Sequence, residues 1–124
     1  MRLNPDCIRD ILLTVEDNTS FGNFLNFENA TDYDQLSSYS TDEVLYHIKQ
    51  CELSGLLTKV SWYMGGSCLI HDLSPYGHEF LANIRSNTNW NKTKEITKKV
   101  GTTSLNAMIQ IASNVISELI KNQF

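Results

Sequence analysis

The segment 36–84 constrains the fold more than any other part of the chain. Ser40 with Glu43 three residues on reads as a capping box that opens a helix. Val44, Ile48 and Cys51 recur along one face of that helix with Leu45 beside them, and Gly55 supplies a left-handed stop. Two runs, 56–63 and 67–73, flank Met64, Gly65 and Gly66 and predict a β-hairpin. Ser74 and Pro75 then start another helix, cap followed by proline, with Phe80, Leu81 and Ile84 as its buried stripe. Gly77 shares that side, where a missing side chain lets another backbone approach. Helix, hairpin and capped helix in this order predict an α+β fold, a winged helix-turn-helix with the hairpin as its wing and a C-terminal helical extension. The expected division is a winged-helix domain over 1–88 and the extension over 89–124, the latter either part of the same domain or a dimerisation element.

The flanking sequence fits that plan. Asn4 can cap a first helix, Pro5 suits its first position, and Asp6 complements its positive end. Ile8, Ile11, Leu12 and Val15 share one face, and a polar turn over 17–20 ends the helix. A short strand is expected within 21–27, and Thr31 or Asp32 is a candidate cap for a short helix through Leu36. After a polar link over 86–89, a basic helix spans 90–100 with Lys92, Lys94, Lys98 and Lys99, and Gly101 breaks it. Thr102, Thr103 or Ser104 caps a last helix to about Lys121.

Charge is what divides the fold from its usual task. Residues 1–54 carry three bases against ten acids, a net −7, whereas 55–124 carry seven bases against four acids, a net +3. No apolar run is long enough for a membrane span, and Asn4, Pro5, Asp6 and Asp10 interrupt any apolar leader, so a cytoplasmic location is the expected default. Three widely spaced cysteines, Cys7, Cys51 and Cys68, fit reduced thiols better than a disulfide framework.

Four stretches carry a resemblance: MRLNPDCIRDIL (1–12), VLYHIKQCELSGLL (44–57), DLSPYGHEFLANIR (72–85) and WNKTKE (90–95). Together they resemble a domain-of-unknown-function family of small winged-helix-like proteins from phages and prophages of Gram-positive bacteria. The resemblance spans nearly the whole chain and is weakest over 20–34 and at the hairpin tip. It implies a fold and a setting, with no catalytic residues, and a small phage protein in that setting is expected to act on a host or phage protein, a host-defence component included.

A DNA-reading helix needs Lys or Arg around it to neutralise phosphates. The helix over 41–54 instead carries Asp42, Glu43 and Glu52 against Lys49, and the hairpin tip is uncharged. DNA binding by a dimeric regulator is therefore the second reading, with Arg85, Lys92, Lys94, Lys98 and Lys99 as its phosphate ledge; the plain alternative for these lysines is a solvated helix face. The first reading is a protein-interaction module. Its candidate contacts are Trp62, Tyr63 and Met64, aromatic and thioether groups at a charge-free turn, with Asp42 and Glu43 on the neighbouring helix. The plain alternative is that Trp62 and Tyr63 merely alternate across the hairpin. The acids Asp6, Asp10, Asp17, Asp32, Asp34, Asp42 and Glu43 are also candidate phosphate mimics, although such runs are usually solvent faces.

The last helix presents Leu105, Met108, Ile109, Ala112, Val115, Ile116, Leu119 and Ile120 on one broad face, a candidate homodimer seam because its opposite face is nearly uncharged. His47, Cys51, Cys68 and His71 are zinc-type residues, but Cys51 continues a core stripe and residues three apart on a strand face opposite ways. No metal or cofactor is expected. No phosphate loop, nucleophile elbow or metalloprotease helix is present, and His78 and Glu79 are adjacent on a helix and cannot face one another, so no enzyme is expected.

Overall fold

Asn4 starts the first helix as its sequence requires: its side-chain Oδ1 accepts the Asp6 N–H at 3.1 Å, and Pro5 occupies the first helical position. In the computed structural model, which describes residues 1–101 and 104–123, this helix is α1 (Pro5–Asn18). It is followed by β1 (Leu25–Phe27), two 3₁₀ turns (Ala30–Asp32 and Asp34–Leu36), α2 (Thr41–Leu53), β2 (Val60–Tyr63), β3 (Ser67–Ile70), α3 (Pro75–Ile84), α4 (Asn87–Val100) and α5 (Leu105–Gln123). The architecture is mixed α+β, with five helices and one antiparallel sheet among the described residues. The chain divides into two compact units, Met1–His78 and Glu79–Phe124, with the boundary inside α3.

The first unit holds the sheet. Its strand order is β1-β3-β2, so the last strand lies in the middle. Leu25 pairs with Ile70 and Phe27 with Cys68, while Val60 and Trp62 meet the same two β3 residues from the other side. Leu25, Phe27, Val60, Cys68 and Ile70 are buried, and Asn26, Ser61 and Leu69 alternate with them on the wetter face. Gly65 and Gly66 turn the hairpin with φ of 95° and 86°, a region open to glycine and strained for other residues. α1 packs against α2 and the second 3₁₀ turn, burying Cys7, Ile8, Ile11, Leu12 and Val15.

Two details differ from the sequence expectation. The short helix expected to be capped by Thr31 or Asp32 is a pair of 3₁₀ turns. Asp32 reaches back to accept the Asn29 N–H at 3.3 Å, and the Thr41 hydroxyl accepts the Ala30 N–H at 3.1 Å. The polar link expected over 86–89 is instead the start of α4. Ser86 Oγ accepts the Asn89 N–H at 3.1 Å and so caps a helix that begins at Asn87.

Gly55, left-handed with φ of 78°, turns the chain just beyond the end of α2, and the start of α2 is capped by Ser40, whose Oγ accepts the Glu43 N–H at 3.1 Å. Ser74 then ties two elements with one hydroxyl. It donates to the Gly55 carbonyl at 2.6 Å and accepts the Gly77 N–H at 2.9 Å. The Ser74 N–H donates to the Leu56 carbonyl at 2.9 Å. A Cβ added at Gly77 would lie 2.1 Å from that same Leu56 oxygen, so the close approach expected there is a steric requirement.

In the second unit α4 and α5 pack against one another. α4 buries Trp90, Thr93 and Thr97, and each threonine satisfies its hydroxyl by donating to the carbonyl four residues back. Gly101 ends α4 in the left-handed conformation at φ 79°. Of the three candidate caps for α5, Thr102 and Thr103 lie outside the described residues. Ser104 Oγ accepts the Ala107 N–H at 3.3 Å.

Candidate protein interface

The hairpin carries its exposed groups at the turn. β2 alternates, so Val60 and Trp62 share the inner face and Tyr63 points the other way. Met64, first residue of the turn, is fully exposed at 101%, and Tyr63 is 53% exposed. Trp62, at 37%, is anchored: its indole Nε1 donates to Glu52 Oε1 at 3.0 Å. Lys49 donates to the same oxygen at 2.9 Å and stands 5.2 Å from the Trp62 ring centre. Burial alone would push the Glu52 carboxyl up; the hydrogen bonds from Lys49 and Trp62, with the Lys49 charge, hold it below its ordinary value. Leu45 supports the tip from α2, with its Cδ1 3.8 Å from where a Gly66 Cβ would stand. Leu53, the last residue of α2, is exposed.

The charges of α2 thus fall into two groups. Glu52 and Lys49 neutralise one another beside Trp62. Asp42 and Glu43 remain in the first turn, where the helix dipole favours acids, with Asp42 exposed and Glu43 half-buried. Of the other candidate mimic acids, Asp17, Asp32 and Asp34 line one open recess of about 360 Å³, together with Thr14 and Tyr33. Asp10 is taken up by Tyr39, whose phenol donates to its Oδ2 at 2.6 Å.

The lysines of α4 are not equivalent. Lys94 stands 5.5 Å from the Trp90 ring centre, and Lys99 pairs with Glu95 at 3.2 Å. Lys92, Lys98 and Arg85 are exposed. On α5, Leu105, Met108, Ile109, Ala112 and Val115 are buried, Ile116 is half-buried, and Leu119 and Ile120 are about half exposed. Between α4 and α5 an open groove of about 680 Å³ is floored by Ile96, Ile111, Val115 and Leu119. Lys92 and Glu118 stand on its opposite walls.

Of the zinc-type residues, Cys51 and Cys68 are buried in the core and the two histidines have other partners. His47 is fully buried. Its Nε2 accepts the Asn4 N–H at 2.7 Å, and Nδ1 lies 2.7 Å from the Glu43 carbonyl, so the ring is neutral with its proton on Nδ1. His71 stacks on Phe24 with ring centres 3.9 Å apart. Among the described residues, no group of three or more His, Cys, Asp or Glu side chains is placed to hold a metal ion. No described helix is long and apolar enough to cross a membrane.

One exposed group was missed by sequence reasoning. Phe21 is entirely exposed in a tight turn where the Ser20 and Asn23 backbones bond reciprocally at 3.0 and 3.2 Å. Gly22 and Asn23 were the turn signal that could have placed it outside the strand.

Residues 2–104 match the family of hypothetical proteins designated DUF2513. The chain belongs to this family. The matched residues take in α1 through α4 and stop where α5 begins. A protein of Haemophilus influenzae described as uncharacterized is 32% identical over 123 residues, spanning 97% of this chain and 99% of its own length. That alignment therefore takes in most of α5, beyond the part of this DUF2513 member that the family covers. No solved structure matches the chain.

Proposed function

We propose that this chain is a non-enzymatic interaction module that binds another protein through the face built from α2 and the β2–β3 hairpin. The observation that carries the reading is the turn itself: a fully exposed Met64 beside a half-exposed Tyr63, held out by two left-handed glycines and free of charge. Aromatic and thioether groups on a rigid, uncharged projection suit the anchor of an interface, where a few such residues carry most of the affinity. Trp62 is fixed from behind by Glu52, so the projection is ordered before any partner arrives, which lowers the entropic cost of docking. Asp42 and Glu43 at the start of α2 add an acidic rim. In the phage or prophage setting implied by the resemblance, the partner is a host or phage protein, with components of host defence among the candidates.

The winged-helix reading of the first unit belongs to this proposal. It is supported by the order α1, β1, helical turns, α2, hairpin, and by a sheet in which β3 lies between β1 and β2. In that reading α2 is the helix that a DNA-binding relative would lay in the major groove. Its one lysine is already engaged by Glu52, which disfavours that use here.

The test is affinity capture from host extract with the purified chain and with a Tyr63→Ala, Met64→Asp double variant. The variant should keep its circular dichroism spectrum and lose the captured partner at least about tenfold. Equal recovery by both proteins would remove the hairpin tip as the contact.

The lysine-rich α4 supports a second reading, a dimeric DNA-binding regulator, with phosphate contacts from Arg85, Lys92, Lys94, Lys98 and Lys99. Retention of mixed-sequence duplex in a low-salt gel shift, lost on Lys94→Glu with Lys98→Glu, would favour it over protein binding.

A further inference from the structure

We infer that the groove between α4 and α5 receives the same groove of a second copy of this chain, closing an antiparallel four-helix bundle. All the residues lining this groove belong to α4 and α5, and none to α2 or the hairpin. A helix pair buries one stripe of each helix along its own seam and leaves a second stripe on each open. Here α4 buries Trp90, Thr93 and Thr97, yet Ile96 remains half-buried in the groove. On α5 the stripe from Leu105 to Ala112 is buried, while Ile111 and Leu119 line the groove and Leu119 is 45% exposed. An apolar furrow between two helices is half of a bundle core.

Charge selects the occupant. The short connection makes α4 and α5 antiparallel neighbours. Lys92 lines the groove from α4 and Glu118 lines it from α5. A two-fold axis running along the groove sets α4 of one protomer against α5 of its partner, antiparallel. Lys92 then faces the partner's Glu118, and the partner's Lys92 faces Glu118, so a single pairing is made twice. The same operation brings the apolar floor, Ile96, Ile111 and Val115, against its own copy. Glu95 is balanced by Lys99 on its own helix. Glu118 also lies 3.7 Å from Lys121, but that pair is largely exposed and holds Glu118 only weakly. A furrow whose one wall carries the base and whose other carries the acid is complementary to itself.

The experiment is sedimentation velocity on the whole chain, from about 1 to about 200 µM in low salt. The unmodified protein should reach a dimer within that range. Ile96→Glu with Leu119→Glu should remain monomeric throughout while keeping its helical circular dichroism. Lys92→Glu alone and Glu118→Lys alone should each weaken the dimer by at least about tenfold, and the two together should restore it. Restoration is the decisive readout, because two merely destabilising substitutions would not rescue one another. A monomer at every concentration overturns the proposal, as does a dimer indifferent to these four substitutions. The Tyr63→Ala, Met64→Asp variant should dimerise normally, so failure of this inference and failure of the protein-binding reading are distinguishable.

Discussion

At the scale of single residues, Gly77 and the buried thiols are the most exacting positions. Gly77 stands over the Leu56 carbonyl, an oxygen that also accepts the Ser74 N–H. An added methyl meets backbone that cannot rotate away. Gly77→Ala is expected to destabilise the protein by about 3 kcal/mol, read from the urea midpoint, against well under 1 kcal/mol for Gly22→Ala in open space. The thiols make a different demand. Burial, and then the charges of Glu43 and Asp10, push Cys7 up to about 12 from its ordinary 9.0; burial and Glu52 do the same for Cys68. Burial and the Asp10 hydrogen bond raise the Tyr39 phenol as well. Groups whose pKa rises on folding contribute stability that is complete below the unfolded value and lost as pH climbs through the folded one. The urea midpoint should therefore hold steady to about pH 8.5 and fall from there toward pH 12. Cys68→Ala should make the fall shallower, and a midpoint flat to pH 11 would refute this account.

At the scale of elements, the first unit is joined by side chains that belong to two elements at once. Ser74 caps α3 and holds the end of α2 through the Gly55 carbonyl. Ser74→Ala removes both bonds and should cost about 1–2 kcal/mol. Ser74→Asp keeps an acceptor for the Gly77 N–H but has no proton for the Gly55 carbonyl. It should recover only part of the loss, and full recovery would show that the cap alone matters. Glu52 plays the matching part between α2 and the hairpin, joining Lys49 to Trp62. The sequence presented Glu52 as one of three acids on a helix with the wrong sign for DNA. The structure leaves that sign in place at Asp42 and Glu43, and turns Glu52 into a brace. Spacing in a sequence cannot register such a pairing, because Glu52 and Trp62 lie on different elements.

At the scale of the whole molecule, the proposed pairing across the open groove would couple folding to association. If two copies share the groove, dimerisation adds to apparent stability by mass action. The thermal midpoint should then rise with protein concentration, and Leu119→Glu should abolish the dependence; a midpoint independent of concentration in the unmodified chain would contradict a dimer formed only by folded protomers.

Much of this molecule was legible without coordinates. Asn4, Ser40, Ser74, Gly55 and Gly101 mark helix ends because caps and left-handed stops act through the backbone within three or four residues. Gly65 and Gly66 mark the hairpin for the same reason. The mixed α+β class and the inward stripes of α1, α2 and α3 followed from periodicity, which is also local. Tertiary contacts decided the rest. They set which ring nitrogen of His47 bears the proton, since Nε2 accepts the N–H of Asn4, the cap of α1. They anchored Trp62 and left Met64 bare. They also divided the apolar face of α5, burying its first half and opening Leu119 to the groove. A side chain's neighbours in sequence determine the turn it stands on; only the elements packed beside it determine whether its atoms are already spoken for.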